Sequence, residues 1–269
     1  MSNFFENKVV AVTGGSDGIG KALVEKLLVL GAKVATCARN QDKLYDLQLS
    51  HSTMPLHCVV ADVSDYNSCA LFINSTIKQF GSIDILINNA GVSMRSLLKD
   101  AELEVFKKVM DINYFGSVYC TKLALPSILE RQGTIVAVSS IAGYRGLPGR
   151  SGYSASKFAL NGWMEAIRTE LMDDNVNVMW VCPGFIRSNI RKAALNNKGE
   201  QQGESPLDEA SLMSAEECAS HILKAIEERK RTLMLTFRGK HTVIINKLFP
   251  PWADKLTRNF FFKDGKLVK

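Results

Sequence analysis

No stretch of this 269-residue chain holds the roughly 20 consecutive apolar residues that a membrane-spanning helix needs. Met1 to Asn7 is short and polar apart from Phe4 and Phe5, which is not the pattern of a signal peptide. Both absences point to a cytosolic protein, or one facing the cytosol. Histidine is scarce, with four residues (51, 57, 221, 241) and no ligand spacing among them, so no structural metal is expected. The six cysteines (37, 58, 69, 120, 182, 218) contain no C-x-x-C pair. Several lie in apolar runs, where a small thiol packs as core and a disulfide framework is not expected. There is no internal repeat and no domain linker. The one polar, low-order stretch, 196–209 with NNKGEQQGESP, reads as a mobile loop.

What is present is an ordinary globular balance: 46% apolar and 22% charged residues, enough for one large domain with a full core. We read 1–269 as one catalytic domain, with a core over 8–237, a substrate lid over 185–214 and a basic, aromatic extension over 238–269. The net charge of +6 is uneven. From residue 229 onward eleven Lys and Arg face two Asp, so this end carries +9 and the remainder about −3.

Short β-branched runs alternate with longer amphipathic stretches. Strands are expected at 8–13, 33–37, 56–60, 83–87, 133–139, 176–181 and 232–237. Helices are expected at 18–30, 41–49, 66–80, 103–131, 153–172 and 215–228. The strands are apolar on both faces, as when helices cover both sides of a parallel sheet. Repeated units of this kind predict an α/β, Rossmann-type, doubly wound sheet of seven parallel strands, with ligands beyond the strands' carboxyl ends.

The first strand runs into Gly14, Gly15, Ser16, Asp17, Gly18, Ile19 and Gly20, and a helix follows at once. Glycines there let backbone amides approach a pyrophosphate at the helix N-terminus, although a bare turn has the same composition. Arg39 closes the second strand, nineteen residues beyond Gly20. An acidic residue near this point would bind the ribose diol of NAD. The planar donor fork of Arg39 instead suits a 2′-phosphate, hence NADP(H), unless it is simply a solvated arginine. Asp17 argues the other way, because it sets negative charge close to the same phosphate.

Tyr153 and Lys157 stand four residues apart at the start of a helix, on one face. A phenol near its usual pKa is a poor proton shuttle at neutral pH, and a cation one turn away brings it toward the useful range. The spacing alone is common. Ser140 closes the fifth strand thirteen residues earlier, within reach of the same pocket. Asn113 is a polar amide inside an apolar helical stretch and needs a partner, for which a backbone carbonyl or a bound water would serve.

TGGSDGIG, Asn88-Asn89-Ala90-Gly91, Asn113, Ser140, Tyr153, Lys157 and Pro183-Gly184, in this order and spacing, resemble the short-chain dehydrogenase/reductase family from about residue 8 to 237. The resemblance implies a hydride transfer between nicotinamide and a carbonyl or secondary alcohol. It would make Tyr153 the general acid or base and Ser140 the donor to the substrate oxygen. Lys157 would lower the tyrosine pKa and hold the nicotinamide ribose, and Asn113 would anchor a water that relays protons to Lys157. Asp62 would meet the adenine amine, Val63 would line the adenine pocket, and Asn89 and Ala90 the ribose. Pro183, Gly184, Ile186 and Ser188 would fix the carboxamide, Ser188 standing where the family more often has threonine. Relatives are often dimers or tetramers built through the helices that carry Asn113 and Tyr153.

The expected substrate wall, 141–148, 185–191 and the loop to Met213, mixes apolar groups with Arg145, Arg187 and Arg191. It suits a bulky apolar ketone, with an anionic end if those arginines face inward rather than solvent. Phrases such as ARNQDKL and YSASKFAL resemble the branch holding hydroxysteroid dehydrogenases, 3-ketodihydrosphingosine reductases and the dehydrogenase/reductase 7B type. The aromatic and basic tail would hold the protein against an anionic membrane, or else pack on the domain, cover the pocket or form a subunit interface. Reduction of a steroid or long-chain keto-lipid by NADPH is the leading expectation. The alternatives are a 3-oxoacyl carrier-protein reductase and an NADP(H)-sensing protein without turnover. Nucleic-acid binding is not expected, because the tail carries too many large apolar residues for a phosphate-binding arm.

Overall fold

The computed structural model describes residues 4–205 and 212–268. Strands β1 (Val9–Thr13), β4 (Ile85–Asn88), β5 (Thr134–Val138) and β6 (Asn177–Cys182) are buried along their whole length, which requires cover on both faces. With β2 (Lys33–Ala38), β3 (Leu56–Val60) and β7 (Thr232–Met234) they form one parallel sheet in the order β3-β2-β1-β4-β5-β6-β7. The expected seven-stranded, doubly wound architecture is what the chain adopts. One core, built on Leu23, Leu27, Ile222 and Ile226, packs α1 (Gly18–Val29) and α7 (Ala215–Glu227) against one face, near α2 (Gln41–Ser50). The other, built on Phe72, Ile73, Ile128 and Leu160, packs α3 (Tyr66–Phe80) and the helices described next. The six cysteines are free, and all but Cys58 are buried.

The helix expected over 103–131 is divided into α4 (Leu103–Met110), a π turn (Asp111–Phe115) and α5 (Gly116–Glu130). A π turn takes one more residue than an α turn and often marks a functional site. Here it places Asn113 inward. Gly116 follows where β3 leads into α3: a Cβ there would stand 2.9 Å from both Val63 Cγ2 and the Val63 carbonyl oxygen. The next helix, α6 (Ser151–Glu170), carries Tyr153 and Lys157.

The tail is more ordered than its composition suggests. β7 ends before 237 because Thr236 caps a helix, its Oγ1 accepting from Gly239 N at 3.1 Å. That helix, α8 (Phe237–Leu248), is followed by α9 (Pro250–Phe261), which opens with prolines where the amides lack helical partners in any case. A hairpin of β8 (Phe262–Lys263) and β9 (Lys266–Leu267) follows. Its turn residues Asp264 and Gly265 have φ of 49° and 75°, as a tight two-residue turn requires. Among the described residues, no helix is long and apolar enough to cross a membrane.

Part of the expected lid, 206–211, lies outside the described residues. Its earlier portion is anchored: Leu195 bridges both Met94 and Gln201, and Ile186 bridges Met213. Asn196 Oδ1 accepts from Lys198 N and Glu200 N, so 196–200 is a hydrogen-bonded turn.

Candidate active site

The carboxyl ends of the strands surround one cavity of about 1480 Å³. At its floor β1 and β4 are tied together: Thr13 Oγ1 accepts from Asn89 N and Ala90 N, each at 3.0 Å. Asn89 Nδ2 returns bonds to the Thr13 and Gly14 carbonyls at 2.9 and 3.2 Å. Side chains are excluded from the glycine turn. A Cβ at Gly20 would meet the Gly14 carbonyl oxygen at 2.1 Å, and one at Gly14, whose φ is +71°, would meet Ala90 Cα at 2.9 Å. This bare backbone, opening into α1, leaves room for a pyrophosphate and fits a dinucleotide.

The sequence-derived cofactor residues come together. Gly14, Ser16, Asp17, Gly18, Ile19 and Gly20 line one side of the cavity, with Arg39, Asp62 and Val63 at its far end. Asn89, Ala90, Pro183, Gly184, Ile186 and Ser188 line the remainder. Two residues not singled out from the sequence belong here. Burial opposes ionisation of Asp17, but hydrogen bonds from Lys43 and Asn189 and the Lys43 charge outweigh it, and hold the carboxyl below its usual range. Lys43 therefore compensates the charge that made Asp17 an awkward neighbour for a phosphate. Arg39 is half-exposed and stands 4.0 Å from Asp62. Lys43 follows it by four residues, a spacing that could have flagged the pair.

Toward the middle, Ser140 Oγ accepts from Ala142 N at 3.1 Å and hydrogen-bonds the Tyr153 phenol. Burial pushes the Tyr153 pKa up; the Ser140 bond, then the charges of Arg150 and Arg191, oppose it. Arg150 and Arg191 thus add cationic charge beside the phenol. Lys157 Nζ donates to the Val138 carbonyl at 2.9 Å and lies 5.8 Å from the Tyr153 ring centre. Burial lowers its own pKa to about 8.

Lys157 and Asn113 stand behind the cavity wall rather than in it. Asn113 is fully buried, and backbone supplies its partner, one of the two foreseen. Its Nδ2 donates to the Val92 carbonyl and Ser156 Oγ, both at 2.9 Å, and its Oδ1 accepts from Val92 N at 2.8 Å.

The tail roofs the other end. Thr236, His241, Ile245, Leu256, Phe260 and Phe261 line the cavity, and Phe260 stacks on Phe185 at 6.2 Å. Of the three arginines expected on the substrate wall, Arg191 lines it. Arg145 is committed to the roof: it donates to Asn246 Oδ1 at 2.7 Å, Asp254 Oδ1 at 2.6 Å and Thr257 Oγ1 at 3.2 Å. Arg187 is absent from the lining. Arg150, one turn before Tyr153, is there instead and was missed because nothing in its sequence neighbourhood distinguishes it from a solvated helix-start cation.

A family model described as short chain dehydrogenase matches residues 8–199. The chain is 39% identical over 236 residues to the dehydrogenase/reductase SDR family protein 7-like of Anopheles gambiae, covering 85% of this chain and 74% of that one. It is 37% identical over 255 residues to dehydrogenase/reductase SDR family member 7B of Mus musculus, covering 92% and 79%. Among solved structures, a short-chain dehydrogenase from Streptomyces avermitilis matches with a TM-score of 0.79 at 25% identity, covering 96% and 100%. The fold is also that of a short-chain dehydrogenase/reductase from Burkholderia phymatum solved in complex with NAD, with a TM-score of 0.82 at 23% identity over 94% and 96%. The chain belongs to the short-chain dehydrogenase/reductase family, in its member-7-like branch, and is an oxidoreductase.

Proposed function

We propose that the protein is an NADP(H)-dependent reductase of a bulky, hydrophobic ketone, such as a steroid or a long-chain keto-lipid. The observation that carries this reading is the continuity of the cavity. It runs from Arg39, past Tyr153 and Ser140, to the apolar underside of α8 and α9. A reduced dinucleotide, its pyrophosphate held at the glycine turn, would supply the hydride. Ser140 hydrogen-bonds the substrate oxygen, where negative charge develops, and Tyr153 delivers the proton to that oxygen. Lys157 holds the ribose beside it. A remaining lone pair of Asn113 Oδ1 lies, like the Lys157 ammonium, against Gly91, and suits a water linking the two. Asp62 and Val63 border the adenine, Asn89 and Ala90 the ribose, and Pro183, Gly184, Ile186 and Ser188 the carboxamide. Arg39, with Lys43 behind it, reads the 2′-phosphate.

The test is binding of NADPH and NADH, followed by NADPH oxidation against steroid, sphingoid, acyl-thioester and small ketones. Arg39→Ala should weaken NADPH on the order of 10- to 100-fold, the size of a lost charge-assisted contact, and NADH little. Equal losses for the two cofactors would remove Arg39 from the phosphate site. Turnover of acyl thioesters alone would favour the carrier-protein reductase. Tight NADPH binding without turnover of any ketone would favour the sensor.

Two assembly features accompany the proposal. The tail shows Phe237, Ile244, Leu248, Phe249 and Trp252 to solvent among Lys240, Lys247 and Lys255, a combination suited to an anionic membrane surface. Phe115 and Phe158, on the helical layer that carries the site, are 40% and 47% exposed and suit a homodimer or homotetramer contact.

A further inference from the structure

Arg150 is the least explained charge in the molecule. Only 7% of the residue meets solvent, and it lines the cavity next to the Tyr153 turn. Its Nη1 is shielded from solvent and has no hydrogen-bond partner among the described residues. The face of the guanidinium lies 5.2 Å from the Phe261 ring, a cation–π contact that leaves its donors unmet. The other charges nearby make this worse. Arg191, also buried, lines the same cavity, although one of its nitrogens donates to the Ile186 carbonyl at 2.6 Å. Arg95 stands behind and is paired to Glu204 at 3.6 Å. Desolvation, then the charges of Arg95 and Arg191, lower the Arg150 pKa to about 10, which leaves it a cation at neutral pH. Among the described residues that line the cavity, the acids are Asp17 and Asp62, both at the cofactor's adenosine end.

A buried cation with no counter-ion among the described residues costs several kcal/mol to keep charged, and an anion bound beside it would offset that cost. We infer that Arg150, supported by Arg191, is a binding site for a carboxylate carried by the substrate close to its reacting carbonyl. The inference rests on the ketone-reductase reading and narrows its substrate class to apolar oxo acids. A planar fork with free donors matches a carboxylate edge-on. The position of Arg150 one helical turn from Tyr153 puts that carboxylate within a few bonds of the carbonyl. Phe261 and Phe260 then cover the apolar remainder of the molecule. Arg150 is also a cation acting on the Tyr153 phenol, so a bound carboxylate reports on the same proton donor that serves the reaction.

The experiment compares a long-chain oxo acid with its methyl ester as substrates, and dodecanoate with dodecanol as ligands measured by calorimetry. Wild type is expected to favour both carboxylates on the order of 10- to 100-fold. Arg150→Leu should erase the preference in kcat/KM and in binding. Arg150→Lys, which keeps the charge but not the fork, should retain part of it. Equal binding of dodecanoate and dodecanol by wild type would overturn the inference, as would a preference that survives in folded Arg150→Leu. Should Arg150→Leu fail to fold, the wild-type pair and Arg150→Lys decide. Dodecanoate held through Arg150 with no ketone reduced would leave the anion site standing and defeat the reductase reading instead.

Discussion

Lys157 is held where its charge is least stable. Burial takes its pKa from 10.5 to about 8, opposed only in part by the neighbouring Cys182. For a base whose folded pKa lies below its unfolded one, the unfolded chain binds the extra proton between about pH 8 and 10.5. Stability from this group therefore rises with pH through that window. Unfolding free energies of wild type and Lys157→Met from urea titrations should diverge from pH 8 to 10 in favour of wild type, by on the order of one to three kcal/mol. A difference that stays flat over that range would mean the lysine is not perturbed. The variant should also lose turnover. Tyr153 and Lys157 could be read from sequence because a helix enforces their spacing. Lys43 left a faint trace in its spacing from Arg39, but Arg150 and Asn189 could not be read, because each owes its role to what faces it across the cavity, and no local pattern encodes that.

At the scale of elements, the sheet was legible because four fully buried strands leave a continuous apolar signature. The interruption in the helix over 103–131 was not, since a π turn differs from an α turn by one residue and keeps the same apolar face. Gly116, at its exit, is where the turn meets the adenine side of the cavity. Gly116→Ala would place a methyl 2.9 Å from Val63. Overpacking of that kind costs roughly 1–3 kcal/mol. The melting temperature should fall, and the NADPH KM should rise more than kcat falls, because Val63 moves while Tyr153 does not. An unchanged cofactor KM in the folded variant would separate the turn from the adenine pocket. The tail helices escaped the sequence reading for another reason. Their apolar residues are divided between the cavity and the outer surface, so no single stripe stands out.

For the whole molecule, the consequence is a polarised surface. The final 41 residues carry +9 and the remainder −3, and the basic end also bears the exposed aromatics. Flotation with vesicles containing anionic lipid should carry the protein, and Phe249→Glu with Trp252→Glu should release it. Both side chains lie outside the cavity lining, so the cofactor site is untouched by the change. Flotation that persists in the double variant would reassign this face. Light scattering at micromolar protein should give a dimer or tetramer; a monomer would leave Phe115 and Phe158 without the proposed contact.

Arg145 gives the roof a further meaning. It lies five residues past Ser140 and grips Asn246, Asp254 and Thr257. Lifting α8 and α9 to admit a guest tugs on the same short loop that presents the serine hydroxyl.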